Sequence, residues 1–414
     1  MGAVAVSFLS LVGIAVPASQ SMAATVSVTT QAQLTAAIAA AQPGQTIALS
    51  AGTYNGGVTI PRSATPTAPI TLTAAGNGPV VLTASLTMPS CSSTSPDPNR
   101  TVRIKRGASY WTINGLSIDG GVMIMGENAG VVKNWFSARV DAKDWQARRA
   151  VPGRSTNDPV AARSAISYLA AQTGVTLLPS DGIKITNNVI TRKGIHSAMN
   201  RYGTISGNTI SDIACGTGAG IWMGNYSDGW TISDNRLSRI AASSVKHYMQ
   251  EGIRIGGASS YLAVSGNVVT DLPLGGRAFN TDEDASYNVF RDNGADQVDI
   301  GYSEQMSGWG NVWERNRVTN YRVAGFVFRA MDGSLALPSM DTSSYAAVAR
   351  CNSASGQGPA LRIGGVMKGT FQSNSFASTS LSKNVVSYWG AEGNTWNGST
   401  VAPTSTPSVS TVGC

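Results

Sequence analysis

Charge is scarce in this sequence: 13% of its 414 residues are Asp, Glu, Lys or Arg, and only two are histidine and four cysteine. The cysteines, Cys91, Cys215, Cys351 and Cys414, are scattered, and the absence of any close pair argues against a zinc site. They fit one or two disulfides in an oxidising compartment, with three full pairings open. No segment supplies the ~20 consecutive apolar residues of a transmembrane helix, which argues against a membrane partner. The longest approach, AVAVSFLSLVGIAV at residues 3–16, is too short to span comfortably; with Ser21-Met22-Ala23 behind it, residues 1–23 read as a signal peptide cut before Ala24. That expectation makes the protein a secreted one, extracellular or periplasmic. Removing the segment removes no charge, so the formal +7 stays with the mature chain. A basic exported protein favours an acidic glycan over nucleic acid, although +7 on a chain of this size also reads as ordinary solubility. A monomer is expected.

What is present is a repeat. From about residue 165 a β-prone stretch, an asparagine and another β-prone pair recur: ITNNVI to Asn188, ISGNTI to Asn208, ISDNRL to Asn235, VSGNVV to Asn267, ASYNVF to Asn288, WERNRV to Asn316 and FQSNSF to Asn374. A second short strand follows each of the first six phrases, opening with or near glycine: GIHSA, GIWMG, GIRIG, GRAFN, VDIG and GFVF. Such strands suit a solenoid whose coils stack only on their neighbours, with the asparagines forming a ladder of side-chain amides from coil to coil. Ahead of the repeat, TQAQLTAAIAAA at Thr30 to Ala41 reads as an amphipathic helix with Leu34, Ile38 and Ala41 on one face, stopped by Pro43-Gly44. It would cap the open end of the stack, whose bare strand edges otherwise invite aggregation.

The N-terminal stretches AAQPGQTIALSAGTYNGGVTI, APITLTAAG and VVLTAS, within residues 30–85, resemble the opening of secreted right-handed parallel β-helix proteins of the pectate-lyase superfamily. They are most similar to the start of the chondroitinase B and alginate lyase family. The resemblance implies an all-β, single-domain right-handed parallel β-helix over residues 24–396, followed by a Ser/Thr/Pro-rich tail, residues 397–414, that a disulfide at Cys414 would tie down. It does not choose a reaction, because the architecture carries lyases, hydrolases, epimerases and adhesins. Galacturonan hydrolases of this fold carry Asn-Thr-Asp, Asp-Asp, Gly-His-Gly and Arg-Ile-Lys in that order. Here Asn280-Thr281-Asp282 is present, the next two are absent, and Arg103-Ile104-Lys105 lies on the wrong side. The epimerase Asp-Pro-His is represented only by Asp97-Pro98-Asn99, and the pectate-lyase signatures are missing.

Strand alternation then nominates a face. Ile195, Ile221, Ile253 and Ile300 are expected to point inward, and His196, Trp222, Arg254, Arg277 and Asp299 outward. With rungs about 4.8 Å apart, Arg254 and Arg277 would stand almost over each other. Their repulsion, roughly 3 kcal/mol, would be offset by Asp299 or by an anionic sugar in the groove. The longest insertion in the regular part of the repeat ends in SVKHYMQEGIRI, Ser244 to Ile255, which concentrates ionisable groups and leads into the Arg254 strand.

These residue types suit β-elimination on a uronic-acid polymer. Arg254 and Arg277 would hold the carboxylate and the enolate-like charge, Lys246, His247 or Tyr248 would be the base, and Tyr248 could also protonate the leaving oxygen. His196, Trp222 and the basic segment with Arg148 and Arg149 are candidate substrate contacts. A glycoside hydrolase is the second reading, with Glu251, Asp282 and Asp299 as the candidate carboxylate pair members. A non-catalytic glycan binder is the third, with Trp222, Trp230, Trp309 and Trp313 stacking on sugars. The oxygen-rich Asp282-Glu283-Asp284 stretch leaves Ca2+ open as a cofactor, or is a hydrated turn; no loop spacing specifies a metal.

Overall fold

The computed structural model describes residues 24–91, 99–125, 179–224, 227–242, 250–257, 259–272, 275–282, 285–305, 308–329, 344–364, 366–379, 385–387, 393–400 and 414. Lys246, His247, Tyr248, Arg148, Arg149 and the expected signal peptide lie outside them, and among them no helix is long and apolar enough to cross a membrane.

A regular coil contributes one strand to each of three sheets, of 14, 11 and 11 strands, parallel throughout except for the last pair of the first, Thr395–Trp396 with Ser399–Thr400. In one coil Lys184–Thr186 belongs to the first sheet, Val189–Arg192 to the second and Ile195–Ala198 to the third. The inward positions stack residue on residue. In the first sheet Ile185, Ile205, Ile232, Val264, Phe290 and Trp313 follow one another in register, all fully buried. Burying each such side chain contributes about 1.5–3 kcal/mol, so the core is built one rung at a time. Towards the C-terminal end aromatic residues take over: Phe279, Tyr302 and Phe326 stack with centroids 5.0 and 4.6 Å apart.

The helix forms over Gln31–Ala40, capped by the Thr30 hydroxyl, which accepts from the Gln33 amide, and it buries Leu34 and Ile38 against the first coils. The disulfides are Cys91–Cys215 and Cys351–Cys414, the second fastening the C-terminus to the turn before Asn352.

The asparagine ladder occupies the turn between the first and second sheets. It runs through Asn188, Asn208, Asn235, Asn267, Asn293, Asn316, Asn352 and Asn374, each Nδ2 donating to the next Oδ1 at 2.9–3.1 Å. Each amide also donates to a carbonyl of the preceding coil, as Asn235 does to Ile205 O. The residue before each ladder asparagine has a φ between 51° and 65°, whether it is Gly207, Asp234, Arg315 or Ser373. The left-handed turn therefore belongs to the stack rather than to glycine alone. Asn288 is not a rung of this ladder: it bonds Asn311 in a second, shorter ladder, and Asn293 takes the place expected for it. The sequence ASYNVF mimics the repeated phrase one strand too early.

At the corner between the second and third sheets alternation breaks. A Cβ on Gly252 would come within 2.6 Å of Ala278 O and 2.7 Å of core residue Val269, so Gly252 and Ile253 both face inward. The residue before the corner and the one after the inward pair, Glu251 and Arg254, then share the outer wall. The same shift corrects Ile300, which is aligned with Arg277; Tyr302 holds the inward position over Phe279.

A carboxyl group sits inside the solenoid. Glu304 aligns with Thr281 and Phe328, and its Oε2 accepts the Trp313 indole N–H at 2.8 Å, with Asn311 and Ser344 close by. Burial raises its pKa from 4.5 to about 7, against the opposing pull of the Trp313 indole N–H and the nearby polar groups of Ser344 and Asn311.

Two outcomes follow from this architecture. Replacing Asn235 by Ala removes the partners of Asn208 N–H, Asn208 Nδ2 and Ile205 O; urea unfolding should show a loss of about 3 kcal/mol. For Glu304 the folded state favours the protonated form. Its stabilising contribution is complete below pH 4.5 and is lost as pH rises through about 7. Glu304→Gln should therefore gain on the native protein by about 3 kcal/mol between acidic pH and pH above 7, measured as unfolding free energy against pH.

Candidate active site

The third sheet's outer wall carries the candidate site. Met123, His196, Trp222, Arg254, Asn280, Ser303 and Val327 follow one another in register, one per coil. Beside them, at the corner, Glu251 aligns with Arg277, and on the other side stands Asp282.

Corner geometry explains why these groups meet. Because two inward residues separate Glu251 from Arg254, the pair lies on one face: Arg254 Nη1 is 3.3 Å from Glu251 Oε2. Arg254 Nη2 reaches Asp282 Oδ2 at 2.7 Å, and Arg277 Nη1 reaches Glu251 Oε1 at 3.4 Å. The Asn280 amide joins both acids, with Nδ2 donating to Glu251 Oε1 at 2.8 Å and to Asp282 Oδ2 at 3.3 Å. Glu251 and Asn280 are fully buried, and Asp282, Arg254 and Arg277 are exposed by only 3%, 5% and 9%. Two guanidiniums and two carboxylates thus form a neutral, water-excluded network on the outside of the solenoid wall.

Arg254 and Arg277 do not stand over each other as alternation suggests. The register neighbours of Arg254 are Trp222 and Asn280, and those of Arg277 are Glu251 and Ile300. Their shared counter-ion is Glu251. Asp299 does not serve it; its carboxylate takes the Arg322 guanidinium and the Gly275 amide instead.

His196 and Trp222 do lie on this wall. Their rings are parallel to within 2° at 4.4 Å, and the Arg254 guanidinium carbon lies 5.0 Å from the Trp222 ring centre. Since His196 and Arg254 sit on the rungs either side of Trp222, both faces of the indole are covered and only its edge meets the groove. Trp230 and Trp313 are core residues, so neither is available to stack on a sugar. Lys246, His247 and Tyr248 fall in residues 243–249, the connection from strand Arg236–Ala242 into strand Glu251–Ile255. Among the described residues no three His, Cys, Asp or Glu side chains gather as a metal would require.

Asn280 and Ser303 were not nominated by alternation, and the wrong register is the reason: once Arg277 is taken as the partner of Arg254, Asn280 drops out of the row. The Asn280-Thr281-Asp282 triplet was the available signal. Arg254, Asn280 and Asp282 meet even though the rest of the hydrolase motif set is absent.

A family model described as a right handed beta helix region matches residues 104–286. A search of curated protein sequences finds no match. Among solved structures, the Dettilon tailspike protein is 11% identical, covering 90% of this chain and 63% of that one, with a TM-score of 0.52. The PL6 family alginate lyase AlyGC is 14% identical, covering 90% of this chain and 49% of that one, with a TM-score of 0.50, so the chain spans about half of that enzyme's length. An alginate lyase from Paenibacillus sp. str. FPU-7 is 19% identical over 83% of this chain and 98% of that one, with a TM-score of 0.46. Three parallel sheets wound coil on coil, the continuous interior stack and the matching family model make this chain a right-handed parallel β-helix protein.

Proposed function

We propose that the chain is an exported polysaccharide lyase that cleaves a uronic-acid-containing polysaccharide by β-elimination at the Glu251, Arg254, Arg277 and Asp282 cluster. The buried guanidinium pair on the outer wall carries this reading. Taking ions out of water costs several kcal/mol each unless they are paired, and a structural wall has no use for them. Two ion pairs elsewhere on the solenoid, Arg239 with Asp212 and Arg315 with Asp292, are by contrast solvated, their side chains 43–57% exposed.

A uronate carboxylate drawn to Arg254 and Arg277 would have to share their guanidinium N–H donors with Glu251 and Asp282, and those donors would stabilise the charge where the enolate develops, in a site that excludes water. A base then takes the proton from the carbon bearing the carboxylate. The electron pair becomes the new double bond, and the glycosidic C–O bond breaks. The leaving sugar oxygen takes a proton. Lys246, His247 and Tyr248 are the proposed proton carriers, because their segment leads directly into the Glu251 strand. Glu251 and Asp282 act as positioning residues that hold the guanidiniums. The formal +7 suits an acidic polymer, and two disulfides suit an oxidising compartment outside the cytoplasm. The N-terminal resemblance to chondroitinase B and alginate lyases, and the presence of alginate lyases among proteins of similar fold, support the same class.

Glycoside hydrolysis is the second reading, favoured by the shared Asn280 amide. It keeps the nearest oxygens of Glu251 and Asp282 within about 6 Å, near the ~5–5.5 Å of retaining carboxylate pairs. Against it, both Glu251 oxygens are engaged by Arg254, Arg277 and Asn280, which leaves that group poorly placed to serve a leaving sugar.

Incubation with a panel of acidic glycans should produce the ultraviolet absorbance of an unsaturated uronate, and Arg254→Ala should lower kcat on the order of a hundredfold. New reducing ends without that absorbance would replace elimination by hydrolysis. Independently of substrate, Glu251→Ala leaves two buried guanidiniums without their common counter-ion and should cost about 4 kcal/mol in urea unfolding.

A further inference from the structure

We infer that a row of tyrosines beside the site, Tyr261, Tyr202 and Tyr110, is a track for the acidic glycan, with every second sugar resting on a ring. This rests on the acidic-glycan reading above. The row occupies the corner between the third sheet and the first sheet, where Tyr110, Gly182, Tyr202, Gly229, Tyr261 and Tyr287 take successive rungs. Tyr261 belongs to the coil of Arg254, Tyr202 to that of His196 and Tyr110 to that of Arg103. The row therefore starts at the site and runs along the side on which His196 and Trp222 are only half-buried.

Backbone conformation shows that these rings are not the default for the corner. All six residues have φ between 56° and 65°, which glycine adopts freely and a bulky side chain does not. Glycine would serve in every coil, so the tyrosines bring strain of the kind that gathers at binding sites. The glycines in turn make room for them: a Cβ on Gly182 would come within 2.6 Å of the Tyr110 ring, and one on Gly229 within 2.7 Å of the Tyr202 ring. Those two rings are thereby seated against the next coil, fixed in advance of any ligand. Tyr202 is nonetheless 62% exposed, and Tyr110 and Tyr261 are half-buried.

Spacing and charge select the occupant. Tyr261, Tyr202 and Tyr110 stand two rungs apart, about 9.6 Å. That is close to the two-sugar repeat of an extended β-1,4-linked glycan, in which every second sugar turns the same face to one side. A tyrosine ring suits the apolar face of a sugar, and its phenol the hydroxyls at the rim. At the far end Arg62, Arg103 and Lys105 are exposed, and the sequence has no Asp or Glu before Asp97. That end attracts the carboxylates of a polymer whose other end lies at Arg254.

The test is calorimetric titration of the full chain with hexasaccharides of β-1,4-linked polymannuronate and α-1,4-linked polygalacturonate. Ultraviolet absorbance is followed in parallel, so that heat of cleavage is not read as binding. Polymannuronate should bind, and Tyr202→Gly and Tyr110→Gly should each weaken it about tenfold. Thermal unfolding should show both variants folded, because glycine already holds this left-handed position in neighbouring coils. Tyr202→Phe, which keeps the ring, should bind as the native protein does. Any binding of polygalacturonate, whose sugars repeat their orientation on a different period, should be unaffected by the glycine variants. Native binding to polygalacturonate alone, unaltered affinity for polymannuronate in both glycine variants, or equal weakening for both glycans would overturn this inference alone. Failure of the native protein to bind either polyuronate would overturn the acidic-glycan reading and this inference with it.

Discussion

Everything in this molecule depends on coils stacking in parallel register at one strand spacing. A parallel stack offers no hairpin turn to fix its alignment, so register has to be set elsewhere. Here the asparagine ladder sets it. Each amide bonds the next amide and a carbonyl of the coil before, at a corner where the backbone turns left-handed in coil after coil. A slip of one residue would strand a row of buried donors and acceptors and turn the isoleucine stack outward. The loss would be multiplied by the number of coils.

The second corner has a different task. It admits two consecutive inward residues at Gly252-Ile253 and Ala278-Phe279, and so moves the residue before the pair to the outer wall. That local break of alternation brings Glu251 beside Arg254 and places it between two guanidiniums. The interior and the site are therefore coupled through geometry: the small residue that lets the coil turn tightly also determines which side chains face one another outside. Glu304 shows the opposite case, a carboxyl caught on the inward side, where desolvation pushes its pKa up to about 7.

Much of the fold was legible. Short β-branched strands, the recurring asparagine and the alanine-rich Thr30 to Ala41 segment describe local chemistry, and local chemistry decided them. The error at Asn288 was also local, since ASYNVF carries the same pattern as a true ladder phrase while its asparagine belongs to a different corner. The site was legible in part. Arg254, Arg277, Glu251 and Asp282 stood out as charges in a chain with few, and the structure brings all four together. Asp299, equally conspicuous, is committed to Arg322.

By itself the sequence determined a β-rich repeating chain, the inward placing of Ile195, Ile221 and Ile253, its capping helix and the small set of charged residues that gather on one wall. Tertiary structure alone decided which of those charges share a counter-ion, which cysteines pair, and that Trp222 offers an edge rather than a face. The physical reason is that periodicity specifies a side only while alternation is unbroken. At a corner the count of inward residues depends on how closely the next coil's backbone approaches, and that distance exists only once the coils are stacked.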